Sequence, residues 1–268
     1  MQILYLSIAG CIIRLVFYRS LDKQNKVTPK QFIKEILKHN EGFIVEKKPS
    51  RTDYTIEFLE VKGMNLLHDK NQNTYLHFLS YVGPHHIATY SYISRVQFIF
   101  LLKQAIQEVL GNRGFVLHCS AILVNGKAVL FLGESGAGKT TIANMLKRQF
   151  PILADDEGYI RIDDNSAFFY QGPFLERAYS FKKSSNQYEI GRVFLVSQAK
   201  KCDIVQLSLE EFERKVRKQI VTSNVHKVLP SFKNMLFSKL KFNKNKEELM
   251  NCVLDHTPFN DPSGLDTK

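Results

Sequence analysis

The pattern of apolar and polar positions predicts a first part of the chain built from strands and helices. Three runs rich in β-branched and aromatic residues, 3–18, 54–61 and 74–81, are typical of buried strands. Ser94 precedes a segment whose apolar residues recur at helical spacing up to Gly111, which predicts a helix from about residue 94 to 110. We therefore predict an α+β region over residues 1–112, and none of its motifs carries recognisable chemistry.

The pattern changes at residue 113, where a second region begins that we extend to residue 256. Residues 115–124 form an apolar run that predicts one strand, and Asn125-Gly126 predicts a hairpin turn because both residue types tolerate positive φ. Residues 127–132 then return as a second strand. A later strand near 193–196 and a helix that begins after Ser208 follow, and residues 257–268 are predicted to fray.

A glycine-rich octapeptide lies between the strand 127–132 and a predicted helix. It reads Gly133-Glu134-Ser135-Gly136-Ala137-Gly138-Lys139-Thr140 and matches G-x-x-x-x-G-K-[ST] at every fixed position. Glycines let backbone N–H groups converge on a polyphosphate, and the N-terminus of the next helix favours the same anion. We predict that all eight residues bind ATP, with Lys139 reaching the terminal phosphates and the Thr140 hydroxyl holding Mg²⁺.

An apolar run ends in Asp155-Asp156 shortly after this loop. A nucleotide enzyme needs carboxylates near its phosphates, one to hold magnesium and one to accept a proton. Both aspartates are therefore candidate catalytic residues. Which of them has which role stays open, because neighbouring residues on a strand face different directions.

Composition narrows the class of protein. The chain is 44% hydrophobic and 24% charged, which is typical of a globular protein and excludes disordered and collagen-like classes. The four cysteines form no C-x-x-C pair, so the usual zinc and redox motifs are absent from the sequence. The apolar run at 3–18 is interrupted by Arg14, which indicates a strand rather than a signal peptide or membrane helix. We expect a cytoplasmic protein.

The formal net charge of +11 is concentrated in one segment. Residues 212–246, the basic block, contain ten Lys or Arg and one acid. Such a block attracts acidic partners, whether protein or nucleic acid. The alternative interpretation is that these side chains form a solvent-exposed helix face without a partner. Because the phosphate loop lies elsewhere in the chain, we expect the block to be separate from the nucleotide site.

The order of hairpin, loop and acid pair resembles the catalytic domain of HPr kinase/phosphorylase and its wider family of HPr-kinase-like proteins. The resemblance is carried by Leu117-His118, Asn125-Gly126, the octapeptide and Ala154-Asp155-Asp156. It implies an α/β P-loop kinase domain related to the ATP-dependent phosphoenolpyruvate carboxykinases. It also implies magnesium-dependent transfer of the ATP γ-phosphate to a serine hydroxyl.

The resemblance further implies roles for single residues. His118 corresponds to the active-site histidine of the family, while Lys139 and Thr140 correspond to its phosphate lysine and metal hydroxyl. The aspartate pair corresponds to its acid pair, so Asp156 is expected to serve as metal ligand as well as catalytic residue. Glu176 corresponds to a further metal-binding glutamate.

The chain lacks the glycine-rich signature with glutamate and arginine that characterises the bifunctional enzymes. It is more similar to HPr-kinase-like enzymes that phosphorylate ribosomal peptides. We therefore expect a kinase whose partner is a peptide or small protein, acidic if the basic block docks it, and neither a membrane nor nucleic acid as partner. A homo-oligomer, a small-molecule kinase for an amino acid or sugar, and a nucleotide-binding regulator without transfer activity stay open.

Overall fold

The chain is described here by a computed structural model that covers residues 1–18, 29–59, 66–68, 74–76, 79–90, 93–163, 166–173, 183–221, 232 and 235–257. Over these ranges the fold is mixed α/β with more than one mixed sheet. The Cα positions divide the chain into two compact units. The first contains Met1–Gly111 with two short later stretches, and the second begins at Asn112.

The first unit is built on a five-stranded sheet in the order β1-β2-β3-β7-β6, with β4 and β5 forming a separate pair. Its strands are β1 (Gln2–Ile8), β2 (Cys11–Phe17), β3 (Tyr54–Leu59), β4 (Leu66–His68), β5 (Thr74–Leu76), β6 (Leu79–Gly83) and β7 (His86–Tyr90). Its helices are α1 (Pro29–His39) and α2 (Arg95–Leu110), with a short 3-10 helix at Glu41–Phe43.

Two of the predicted strands in this unit are each divided in the structure. The run 3–18 forms an antiparallel hairpin, because Ala9 and Gly10 take φ values of 51° and 70° and make a turn that matches the strand twist. The run 74–81 contains β5 and the beginning of β6. The predicted helix is confirmed as α2, where Ser94 and Gln97 form a reciprocal capping box. Residues 60–61 and 77–78 of the predicted strands lie outside the described part of the chain.

The second unit contains one large sheet in the order β11-β9-β10-β14-β13-β12-β8-β16, and β17 pairs with both β14 and β15. Its strands are β8 (Gly114–His118), β9 (Ser120–Val124), β10 (Lys127–Leu132), β11 (Ile152–Ala154), β12 (Glu157–Asp163), β13 (Ser166–Gln171), β14 (Gln187–Gln198), β15 (Asp203–Val205), β16 (Ile220–Val221) and β17 (Phe237–Phe242). Its helices are α3 (Lys139–Leu146), α4 (Leu209–Val216) and α5 (Lys246–Asp255), with a 3-10 turn at Arg217–Gln219 after α4.

Strand β10 is buried on both faces and carries the phosphate loop at its end. Val129 and Phe131 belong to the core cluster shared with α3 and α5, whereas Leu130 and Leu132 belong to the cluster that contains Phe212 of α4. Burying one such side chain contributes about 1.5–3 kcal/mol. The packing therefore fixes the point from which the loop starts.

The prediction of one strand over residues 115–124 is wrong, because the strand breaks at Cys119. The N–H of Cys119 donates to the carbonyl oxygen of Asp156 at 3.1 Å, outside either strand. Before the break, β8 pairs with β12, and after it β9 pairs with β10 and β11. The break consequently lies beside the turn that carries the two aspartates.

Thr257, the first residue of the predicted frayed tail, is buried, and its hydroxyl donates to the Val253 carbonyl oxygen at 2.6 Å. Residues 258–268 lie outside the described part of the chain. Among the helices that the structure describes, none combines the length and apolar character needed to cross a membrane.

Candidate active site

The phosphate loop connects β10 to α3 through two glycines in left-handed conformations. Gly136 has φ of 80° and Gly138 has φ of 104°. A Cβ added at Gly138 would lie 2.5 Å from the ring of Phe242, whereas one at Gly136 would meet no atom within 4 Å. Gly138 thus permits close packing against β17, while the backbone at Gly136 faces open space that a ligand can enter.

Lys139 folds back onto the loop that precedes it. Its side chain is buried, with 8% of the residue exposed, and Nζ donates to the carbonyl oxygens of Gly133 at 2.7 Å and Glu134 at 3.4 Å. Burial lowers the pKa of the Lys139 ammonium, and the negative charge of Asp156 acts in the opposite direction. A bound phosphate would supply the anionic partner that this desolvated ammonium requires.

The side chains of His118 and Asp156 contact each other at the break between β8 and β9. The Nδ1 atom of His118 lies 3.3 Å from Oδ1 of Asp156. Both side chains are partly open to solvent. The pair arises because β8 ends at His118 while Asp156 precedes the strand that pairs with β8.

The two neighbouring aspartates occupy different environments. Asp155 is buried, with 4% of the residue exposed, whereas 57% of the Asp156 side chain is exposed. The backbone carbonyl oxygen of Asp155 accepts the hydroxyl hydrogen of Ser120 at 2.8 Å. That contact ties the turn to β9 and leaves the Asp156 carboxylate at the surface.

Magnesium at a nucleotide site is commonly held by one or two carboxylates together with oxygens of the phosphates. Thr140, exposed in the first turn of α3, and the Asp156 carboxylate offer oxygen donors of that kind. These residues therefore fit a magnesium ion shared with a nucleotide. The third predicted ligand, Glu176, lies outside the described residues.

A cavity of about 810 Å³ opens beside the loop. One side is formed by residues 133–137 of the loop, another by the end of β14, and a third by four cations that we call the basic wall: Arg214, Lys215, Lys218 and Lys239. The expectation that the basic block lies apart from the nucleotide site is therefore wrong for these four. Lys227 and Lys233 of the block lie outside the described residues.

Two polar contacts connect the loop to its surroundings. Lys218 Nζ lies 3.4 Å from Glu134 Oε1, which links the basic wall to the loop. Gln198 at the end of β14 donates from Nε2 to the Gly136 carbonyl oxygen at 3.1 Å. Sequence reasoning missed Gln198 and did not place Lys239 of the basic block at the loop, because the pairing of β14 with β10 and β17 brings both residues there.

Comparison with known proteins gives a family and a distant likeness to solved structures. A family model described as SynChlorMet cassette protein ScmC matches residues 88–256, a range that contains the loop, His118 and both aspartates. No curated protein matches the chain. Among solved structures, the chain is similar to the HPr(Ser) kinase/phosphatase from Coxiella burnetii, with 13% identity and a TM-score of 0.31. That match covers 52% of this chain and 93% of the other.

Proposed function

We propose a kinase function for this chain, which belongs to the family of the SynChlorMet cassette protein ScmC. In this proposal it transfers the γ-phosphate of ATP to a hydroxyl, preferentially serine, of a peptide or small protein. Its second unit would be a P-loop domain of the HPr kinase and ATP-dependent phosphoenolpyruvate carboxykinase type. The observation that carries the proposal is that the phosphate loop and the exposed carboxylate of Asp156, which contacts His118, follow the same end of the sheet, because β10 and β11 both pair antiparallel with β9.

Phosphoryl transfer requires positioning, neutralisation of charge and a group that takes the hydroxyl proton. In the proposed reaction the acceptor oxygen bonds to the γ-phosphorus while the bond to the β–γ bridging oxygen breaks. ADP leaves with that electron pair, and the hydroxyl proton moves to the carboxylate of Asp156. His118, with Nδ1 at 3.3 Å, orients this carboxylate. Magnesium held by the Thr140 hydroxyl and the phosphate oxygens would neutralise charge on the phosphates, which leaves the Asp156 carboxylate available for the proton.

Lys139 and Asp155 have separate roles in this scheme. Lys139 exchanges its loop carbonyl partners for phosphate oxygens and stabilises charge that develops on the transferred group. Asp155 is buried and its carbonyl oxygen is held by Ser120, so it positions the turn instead of taking the proton. Burial thus distinguishes two acids that the sequence leaves equivalent.

Label transfer from γ-labelled ATP tests the function. We expect magnesium-dependent labelling of serine in a peptide, and we expect Lys139→Ala to lower the rate by about 10²–10³-fold. Lys147→Ala is the matched control, because this exposed lysine follows α3 and its Nζ donates to Asn144 Oδ1 at 3.3 Å. Near-normal transfer by Lys139→Ala would contradict the proposal. Label on an amino acid or sugar would favour the small-molecule kinase, and ATP binding without transfer would favour the regulator.

A further inference from the structure

The basic wall begins at the phosphate loop and extends away from it. Lys218 touches the loop through Glu134 at 3.4 Å. Arg214 and Lys215 lie near the end of α4, Lys218 lies in the 3-10 turn that follows it, and all three line the same cavity. Lys239 reaches the same cavity from β17.

The charge of the wall is only partly neutralised by its own protein partners. Lys215 Nζ donates to Glu211 Oε1 at 2.7 Å. This hydrogen bond lowers the pKa of Glu211, and the charges of Lys215, Arg214 and Lys239 act in the same direction. In the described part of the chain, two carboxylates, Glu211 and Glu134, therefore contact this group of four cations. The excess positive charge lies in a cavity, where it favours an anionic ligand.

The nucleotide phosphates already have partners of their own. The loop supplies backbone N–H groups and Lys139, all from residues 133–140. The far part of the wall lies on other elements, α4 and β17. A cavity of about 810 Å³ is also in the upper part of the range for ligand sites, about 300–1,000 Å³. We expect an acceptor to approach the loop through this space, because residues 133–137 of the loop line it.

We propose that the basic wall binds acidic side chains that flank the acceptor hydroxyl of a peptide substrate. This inference rests on the proposed kinase function. An extended peptide advances about 3.3 Å per residue, so a side chain two positions from the hydroxyl lies about 6.6 Å away on the same face. Side chains of successive residues in an extended peptide point to opposite faces, so an acidic residue on the face of the hydroxyl is two positions from it. The preferred acceptor therefore carries Glu or Asp two positions from the phosphorylated residue.

Synthetic peptides with one serine test the inference. One peptide has Glu at the two residues before and the two residues after the serine, and the other peptide has Gln at the same positions. With the unaltered protein we expect KM to be at least about tenfold lower for the Glu peptide, equivalent to about 1.4 kcal/mol. The advantage should fade as salt is added, because exposed charges are screened. Arg214→Gln combined with Lys215→Gln should raise KM for the Glu peptide, leave KM for ATP within twofold, and remove most of the difference between peptides.

Lys200→Gln combined with Lys201→Gln is the matched control, because both lysines are exposed in the second unit and neither lines the cavity. Equal KM values for the two peptides would overturn the inference while leaving the kinase function intact. A rise in KM for ATP in the Arg214/Lys215 variant would instead assign the wall to the nucleotide. Preference for a phosphorylated small hydroxyl compound would overturn the peptide assignment. Absence of any Lys139-dependent transfer would remove the kinase function itself.

Discussion

Alanine substitutions at two glycines of the phosphate loop distinguish the energetic cost of backbone strain from the cost of a steric clash with a neighbouring side chain. At Gly136 and Gly138 a left-handed conformation costs an alanine about 1–2 kcal/mol. At Gly138 the new Cβ would also lie 2.5 Å from the ring of Phe242, and overpacking of this kind costs about 1–3 kcal/mol more. We therefore expect Gly136→Ala to lower the unfolding free energy by about 1–2 kcal/mol and Gly138→Ala by about 2–5 kcal/mol.

Thermal unfolding followed by circular dichroism measures the difference. For a unit of this size, 1 kcal/mol corresponds to about 2–4 °C, so we expect Tm to fall by about 2–8 °C in Gly136→Ala and by about 4–20 °C in Gly138→Ala. Phe242→Leu, introduced in the unaltered chain and in both variants, completes a double-mutant cycle. Coupling should appear with Gly138→Ala and be absent with Gly136→Ala. Equal losses in the two glycine variants, or no coupling to Phe242, would refute this account of the loop.

Three further predictions concern single side chains. In steady-state kinetics, Asp156→Asn should lower turnover by about 10²–10⁴-fold with little change in KM for ATP, and His118→Asn should lower turnover by a smaller factor. Asp155→Asn should mainly lower Tm, which melting curves will measure. Glu134→Gln should tighten ATP binding in calorimetry by about three- to tenfold, because one carboxylate near the phosphates is removed. Its exposed pair with Lys218 should change stability by less than about 1 kcal/mol. Burial raises the pKa of Cys252 to about 11. Its alkylation, followed by mass spectrometry, should therefore accelerate about tenfold per pH unit from pH 8 to 10, and a flat rate would contradict that environment.

The parts of the site that the sequence predicts well are contiguous in the chain. The loop, its supporting strand and the helix that follows occupy residues 127–146, and each signal in that segment depends on neighbours a few positions away. The same holds for the start of α4, where Ser208 accepts from the N–H of Glu211 as the capping pattern predicts. These elements could be predicted because the sequence signals for them do not involve pairing with a distant strand.

The parts that the sequence does not predict depend on pairing between distant strands. Nothing in the apolar run 115–124 marks Cys119 as the point where the chain leaves one part of the sheet for another, because eight of the ten residues are buried and Cys119 is one of them. The sequence of the basic block likewise does not indicate which part of the fold the block contacts. The block reaches the loop because β16 pairs with β8 and β17 with β14, contacts that span more than 40 residues.

The same strand break also explains how two adjacent aspartates acquire different chemistry. The Cys119 N–H and the Ser120 hydroxyl bind the carbonyl oxygens of Asp156 and Asp155, so the turn is fixed through its backbone and both carboxylates are left out of that contact. The Asp155 side chain is then directed into the protein, and the Asp156 side chain meets His118 at the surface. A carboxylate that is to accept a proton from an incoming hydroxyl must be reachable from solvent. The backbone contacts at the break therefore favour Asp156 as the proton acceptor.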